Sequence, residues 1–329
     1  MLYQVAVSLT QELQGLGRRA YVTFDPWDLR GQILHFGDRY ALLDGPYQNL
    51  HPTNKIFMTW HHGDPTDPSP DIQRVFQQLP TVLPRLEKII VSCEITRQHL
   101  LDFGIPDAHL VTIPIGFNLE RFHPPTPAER ATMRAELGIP DEAFCIGSFQ
   151  KDGQGWGDGM EPKLIKGPDV FLETLSHLRQ RQPELFVLLT GPARGYVKAG
   201  LAALGIPYVH HFLEDYHAIP RFYHALDAYI IASRVEGGPI ALLESWASGV
   251  PLISTRMGMA ADLIRSGENG LLADVEDSLG LANHTEQVIQ APALRERLRQ
   301  QALVDVQGYS WGMVAQQYNR LLYAPLLDA

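Results

Sequence analysis

Between residues 144 and 273, short continuous apolar runs alternate with stretches of helical periodicity. The runs cover 144–149, 185–190, 208–212, 228–232, 251–255 and 270–273. A run such as Leu185-Phe-Val-Leu-Leu-Thr190 has no polar alternation and reads as a strand buried on both faces. The stretches between them, 168–181, 197–204, 219–226, 239–248 and 259–265, place apolar residues three or four apart, as Val170, Phe171, Leu175 and Leu178 are in the first. Strands alternating with helices predict a parallel sheet wound by right-handed crossovers. Ligands of such sheets sit beyond the carboxyl ends of the strands.

One of these junctions carries chemistry. The run 228–232 leads through Ser233-Arg-Val-Glu236-Gly237-Gly238-Pro239 into a helix pattern. Proline suits the first helical position, where its missing N–H would go unpaired anyway. A strand that turns into a helix N-terminus offers free amides and the positive end of a dipole, a setting that suits a phosphate. Gly237 and Gly238 let a ligand approach the backbone closely. Two carboxylates frame the turn: Glu236, and Glu244 eight residues later inside a largely apolar helix, where an idle carboxylate would be costly to bury.

The pattern Glu, seven residues, Glu, with Gly-Gly-Pro after the first and Ser248-Gly-Val-Pro251 after the second, resembles the family-4 type of retaining glycosyltransferase. Asp262-Leu-Ile and Glu268-Asn-Gly-Leu-Leu272 continue the likeness, which covers 139–329 well and 1–138 loosely. The resemblance implies an α/β protein of the GT-B fold: two Rossmann-like domains whose parallel sheets face a central cleft, with a C-terminal helix crossing back to the first domain. The expected divisions are an acceptor-side domain at 1–122, a nucleotide-sugar domain at 123–309 and the crossing helix within 310–329 (its pattern runs over 311–322). The proline-rich stretch 122–127 is the expected linker.

The N-terminal half repeats the alternation in shorter form, with strand-like runs at 20–24, 33–36, 55–60, 88–92 and 110–113. A second proline-rich stretch interrupts it at 64–70. The resembled family opens on a central strand and a glycine-rich loop. Here Leu2, Val5, Leu9, Leu13 and Leu16 fall three or four apart, which is helix periodicity, so that first strand and its loop are not expected. A vacant central position would divide the sheet unless another segment fills it.

The resemblance also implies roles. Lys166, before Gly167-Pro168, and Lys151 match the basic pair that grips the donor diphosphate, with Lys163 a weaker candidate. A lysine at a helix start opposes the dipole and so points to a bound anion. Glu244 is expected to accept hydrogen bonds from the ribose diol, and Glu236 to touch hydroxyls of the transferred sugar. Gly237, Gly238, Pro239 and Ile240 would bring amides to sugar and phosphate. His61, ending the run 55–60, aligns with a family histidine near the donor sugar, with His62 the next choice; Asp64 is a weaker acceptor contact. Asn118 stands where the family usually has Asp. Gly191, Arg194 and His217 follow strand ends and are candidates for the base, which stays open among uracil, guanine and adenine. The stretch 153–159 is either a surface loop or a flap near the phosphates. No metal and no other cofactor is implied.

Composition narrows the partners. The chain has 329 residues and a net charge of −10. Residues 1–138 hold 12 Lys and Arg against 15 Asp and Glu, and the remainder 15 against 22, so neither half is basic. That argues against nucleic acid and gives no polybasic face for a membrane. No apolar run reaches the ~18–20 residues of a membrane span, and no signal peptide is visible. Cys93 and Cys145 read as buried free thiols of a cytoplasmic protein. The expected activity is transfer of a hexosyl group from a nucleoside-diphosphate sugar to an acceptor hydroxyl, of a carbohydrate or another compound, with retention of configuration. Two other readings stay open: another GT-B activity such as an epimerase or a phosphorylase, and a sugar-nucleotide-binding protein without efficient turnover.

Overall fold

The computed structural model describes residues 2–45, 47–67 and 69–328. Met1, Pro46, Pro68 and Ala329 lie outside the described residues, and with them the outer ends of the expected domains and one proline of the 64–70 stretch. The chain forms two compact units: Met1–Phe117 with Gly308–Ala329, and Asn118–Gln307.

The first unit opens with helix α1 (Leu2–Gly15). Its Leu9 and Leu13 are buried, as the periodicity requires. The helix ends where Gly17 takes a left-handed φ of 79° and the Arg18 amide bonds back to the Leu13 carbonyl at 2.9 Å. No strand follows at 20–24. Tyr21 and Phe24 are exposed there, with the Phe24 ring stacked on Tyr3 of α1 at 6.0 Å, and the segment meets no sheet edge, so β-favouring residues alone make no strand. The sheet comes from β1 (Ile33–Phe36), β2 (Lys55–Trp60), β3 (Leu86–Val91) and β4 (Leu110–Thr112), all parallel in the order β1-β2-β3-β4. It is contiguous, not divided: the strands follow chain order, so no interior position stands vacant among the described residues. Helices α2 (Arg39–Leu43), α3 (Pro70–Val82) and α4 (Glu94–Asp102) alternate with these strands.

Neighbouring residues on a strand face opposite sides, and both sides are filled. Ile56, Met58 and Trp60 of β2 share a core with Ile72, Val75, Phe76 and Leu79 of α3. Phe57 and Ile90 face the other way, toward Leu9 and Leu13 of α1 and Trp311, Val314 and Tyr318 of the returning helix Trp311–Tyr318. Beyond it a wider turn, Asn319–Tyr323, brings the Tyr323 hydroxyl to His35 Nδ1 at 2.6 Å, while His35 Nε2 meets Thr59 Oγ1 at 2.9 Å. The C-terminal helix therefore belongs to the first unit.

The second unit begins with α5 (Pro127–Leu137), capped by a reciprocal Thr126–Glu129 pair. The helix starts where the proline-rich linker was expected to end. Six parallel strands follow: β5 (Phe144–Phe149), β6 (Leu185–Thr190), β7 (Tyr208–His211), β8 (Ala228–Ile231), β9 (Leu252–Thr255) and β10 (Leu271–Ala273). Between them run α6 (Pro168–Arg179), α7 (Gly195–Ala203), α8 (Ile219–Tyr223), α9 (Ile240–Ala247) and α10 (Gly258–Leu263). Two helices close the unit, α11 (Ser278–Gln290) and α12 (Pro292–Asp305). The strand order is β10-β9-β8-β5-β6-β7. Successive strands run outward from β5 to β7, and the chain then returns to β8 and runs outward the other way. The winding direction therefore reverses between β5 and β8. The inner strands are buried on both faces, with Val187 and Leu189 against α6 and α7, and Ile230 and Ile253 in the same core as α11, while the edge strand β7 is half-exposed.

Both units are Rossmann-like halves, so the chain has the α/β, GT-B architecture. Cys93 and Cys145 are buried and in no disulfide. No helix among the described residues is long and apolar enough to cross a membrane.

Candidate functional site

The loops after β5 and β8 leave the sheet at its switch point, where adjacent crossovers diverge and a crevice forms. Lys151, Lys163 and Lys166 lie after β5; Glu236, Gly237 and Gly238 lie after β8. The two loops are stitched together. The amides of Arg234 and Val235 donate to the Ile165 carbonyl at 2.9 and 3.2 Å. The Arg234 guanidinium holds Asp169 at 2.7 and 2.8 Å, Glu276 at 2.6 Å and the Leu164 carbonyl at 2.7 Å. Gly167 takes φ 62°, and a Cβ there would overlap the Ala232 carbonyl oxygen. Only glycine lets the two loops lie this close.

At this seam Lys166 Nζ pairs with Glu236 Oε1, which also accepts from the Ser233 hydroxyl at 3.3 Å. Both charged side chains are largely buried, at 23% and 14% exposure. Lys163 lies close by: burial lowers its pKa, the charges of Lys166 and Lys151 lower it further, and Glu236 opposes them. Three lysines thus gather beside Glu236, and Lys163 is more involved than its sequence context indicated. Lys151 Nζ sits 3.9 Å above the ring of Trp156, which is 83% exposed. The surrounding glycine-rich stretch is pinned rather than loose. Gly153 pairs with Pro162, and the Asp158 and Gly159 carbonyls accept from the amides of Gly195 and Tyr196 at 2.6 and 2.9 Å.

Helix α9 starts one residue later than expected, with Pro239 as its N-cap and Ile240 its first residue, and no side chain caps it. Gly237 and Pro239 are buried, and the Gly237 carbonyl accepts from the Met259 amide at 3.0 Å. Glu244, on the second turn, is 3% exposed. Its Oε2 accepts from the Tyr223 hydroxyl at 2.8 Å and its Oε1 from the Tyr216 hydroxyl. Burial pushes its pKa up to about 6, against the pull of the two phenols. The sequence did not connect Tyr216 or Tyr223 with Glu244; no periodicity links a turn and a short helix to a residue on the next helix but one strand away.

The assignment of Arg194 to the base is corrected. Its side chain is wholly buried, paired with Asp152 at 2.9 Å, and donates to the carbonyls of Ser148, Gln150 and Thr190 at 2.6, 2.9 and 2.7 Å and to the Ser148 hydroxyl at 3.0 Å. Arg194 ties the ends of β5 and β6 together, and its wholly buried guanidinium is out of a ligand's reach. Gly191, at φ 91°, lies against the Gln150 carbonyl and accepts from His210 Nε2 at 2.8 Å. His217 is exposed on the turn before α8, and its carbonyl accepts from Arg121 at 3.1 Å.

In the first unit, His61 follows β2 and donates from Nε2 to the Gly37 carbonyl at 3.0 Å. Burial lowers its pKa, so the ring is neutral near pH 7. Asp64 Oδ1 accepts from the Thr66 amide at 2.8 Å and closes its own turn. A hollow of about 260 Å³ in the second unit, lined by Arg130, Glu184, Asp227 and Arg295, opens at the amino ends of β5 and β6, the wrong end for a ligand of such a sheet. Among the described residues, no three His, Cys, Asp or Glu side chains gather as a metal site requires.

Comparison with known proteins places this geometry. Residues 161–304, which hold Lys163, Lys166, Glu236 and Glu244, match the family described as glycosyl transferases group 1. The match covers less than half of the chain; the architecture of the whole is the GT-B fold. It is similar to D-inositol 3-phosphate glycosyltransferases of Actinosynnema mirum (26% identical over 244 residues, 70% of this chain and 55% of the relative) and of an Arthrobacter species (28% over 235 residues, 68% and 51%). The chain thus spans about half the length of the curated relatives it matches. Among solved structures, HepE (Alr3699) of Anabaena with UDP superposes with a TM-score of 0.75 at 19% identity, covering 89% of this chain and 79% of that one. The sucrose-phosphate synthase of Thermosynechococcus elongatus superposes with 0.74 at 19% identity, covering 90% and 74%.

Proposed function

We propose that the protein transfers a hexosyl group from a nucleoside-diphosphate sugar to an acceptor hydroxyl with retention of anomeric configuration. The observation that carries this reading is the gathering of Lys151, Lys163 and Lys166 beside Glu236 at the switch point of the six-stranded sheet. The three lysines with Arg234, against Glu236, Asp169 and Glu276, leave a surplus of positive charge suited to a diphosphate, and the uncapped start of α9 adds backbone donors. Glu244 takes the ribose diol and Glu236 the hydroxyls of the transferred sugar. Solved relatives in complex with UDP and UDP-glucose favour uracil as the base.

Chemically, the bond from the anomeric carbon to the β-phosphate oxygen breaks while the acceptor oxygen bonds to the same carbon on the same face. The acceptor proton passes to the departing phosphate oxygen, so no enzyme nucleophile is needed. The lysines stabilise charge that grows on that oxygen, an effect of the oxyanion-hole kind. His61, which the resemblance sets near a donor sugar, is neutral near pH 7 and held by the Gly37 carbonyl. No metal takes part in this proposed step.

A binding protein without efficient turnover is the second reading. It is favoured by the first unit, where no strand precedes β1 among the described residues. One experiment separates the two: purified protein is incubated with UDP-glucose, with and without a panel of sugar, inositol and inositol phosphate acceptors, and followed by NMR. Appearance of UDP with an α-glycoside product supports transfer. Binding of UDP with no donor consumed supports the second reading, and neither binding nor consumption of UDP-, GDP- or ADP-sugars overturns both.

A further inference from the structure

The two phenols on Glu244 are unlike each other. Tyr223 on α8 is wholly buried among the rings of Phe122, Phe149 and Tyr229, with centroids 4.9–6.1 Å away. Its hydroxyl is a fixed donor to Oε2. Tyr216 lies on the short turn Tyr216–Ala218 and is 55% exposed, yet its hydroxyl reaches inward to Oε1 of the same carboxylate. That turn is held by other bonds. Asp215 Oδ1 accepts from the His217 amide at 2.8 Å, and Arg121 donates to the His217 carbonyl at 3.1 Å. The Tyr216 hydroxyl can therefore leave Glu244 without undoing the turn that carries it.

A buried carboxylate offers several acceptor sites and is costly to leave unpaired. We propose that the Tyr216 hydroxyl stands in for a ribose hydroxyl on Glu244 and is displaced when a nucleoside diphosphate binds. This rests on the nucleotide-sugar reading given above. Displacement surrenders one hydrogen bond to a buried charge, and only a ligand that brings hydroxyls of its own restores it. Tyr216 is thus a competitor for Glu244 that a nucleotide carrying the 2′,3′-diol must displace and a dideoxy nucleotide leaves in place, while Tyr223 is a positioning residue that keeps the carboxylate aimed.

The test compares the full chain with Tyr216→Phe, which removes only the hydroxyl of an exposed side chain. Calorimetric Kd values are measured for UDP and for 2′,3′-dideoxy-UDP. Tyr216→Phe is expected to bind UDP about fivefold more tightly, the gain from one competing hydrogen bond removed, with dideoxy-UDP unchanged. Equal or weaker UDP binding by the variant overturns displacement. A second measurement needs no nucleotide: the carbon-13 titration of the Glu244 carboxyl, whose midpoint should rise above about 6 once the hydroxyl is gone. An unmoved midpoint overturns the proposal whatever binds. A raised midpoint in a protein that binds no UDP overturns the nucleotide reading, and displacement with it, leaving only the hydrogen bond.

Discussion

Glu244 holds its proton more tightly folded than unfolded, and the direction of that shift fixes a pH response. A carboxyl raised to about 6 by burial favours the folded state most below its ordinary pKa, and the advantage is lost as pH rises through 6. The ionised group then costs about 2 kcal/mol at pH 8. The stability of Glu244→Gln relative to wild type should therefore move in the variant's favour by about 2 kcal/mol between pH 4.5 and pH 8, as read by urea denaturation at each pH. The proposed roles separate kinetically. Glu244→Ala should weaken UDP binding by roughly 10- to 100-fold, the loss of a charged acceptor, whereas Glu236→Gln should lower kcat by roughly 100-fold with a smaller change in nucleotide affinity. Identical behaviour of both variants and wild type in calorimetry and turnover would remove both carboxylates from the site. Single residues were also where the sequence was least legible. Arg194 after a strand end looks the same whether it faces a ligand or, as here, disappears among three carbonyls and Asp152. The Tyr216 and Tyr223 contacts on Glu244 have no spacing that announces them.

At the scale of elements, the site depends on two loops held closer than side chains would permit. Gly167 combines a left-handed φ with contact on the Ala232 carbonyl. Gly167→Ala should destabilise the second unit by about 2–3 kcal/mol and shift Lys166 away from Glu236. A lower urea midpoint together with weaker UDP binding would show both effects. The elements themselves were legible wherever they were buried on both faces: continuous apolar runs gave β5, β6, β8 and β9 to within a residue or so. The failures have separate causes. The 20–24 segment carries β-favouring residues but meets no sheet edge, and strand formation is decided by the partner rather than by propensity. Helix α12 has only Leu298 and Ala302 buried, too narrow an apolar stripe to stand out from a polar surface.

Over the whole molecule, the two units carry opposite responses to acid. In the first, burial holds His35 near 4 between Tyr323 and Thr59. A histidine with a depressed pKa supports the fold above its ordinary pKa, and that support is lost as pH falls from 6.5 toward 4, here by about 2–3 kcal/mol. Acidification should therefore loosen the first unit while the Glu244 contribution in the second improves. Hydrogen exchange read by mass spectrometry at pH 7 and pH 5, corrected for intrinsic rates, should show protection falling at residues 33–36 and 55–60 before it falls at 185–190. The returning segment matters equally, because Trp311, Val314 and Tyr318 cover Phe57 and Ile90; Trp311→Ala should cost about 3–5 kcal/mol in the first unit. The chain leaves that unit at Phe117 and re-enters it beside the same residue: the Phe117 amide donates to the Tyr309 carbonyl, and the Phe117 carbonyl accepts from the Trp311 amide, both at 3.1 Å. The second unit is thus an insertion within the first. On the ribosome, residues 118–307 emerge whole and can mature alone, while the earlier-made sheet waits, one face covered only by α1, until the polypeptide has come back to close it. Nascent chains stalled before Trp311 should recruit holdase chaperones to the oldest part of the molecule rather than to the newest.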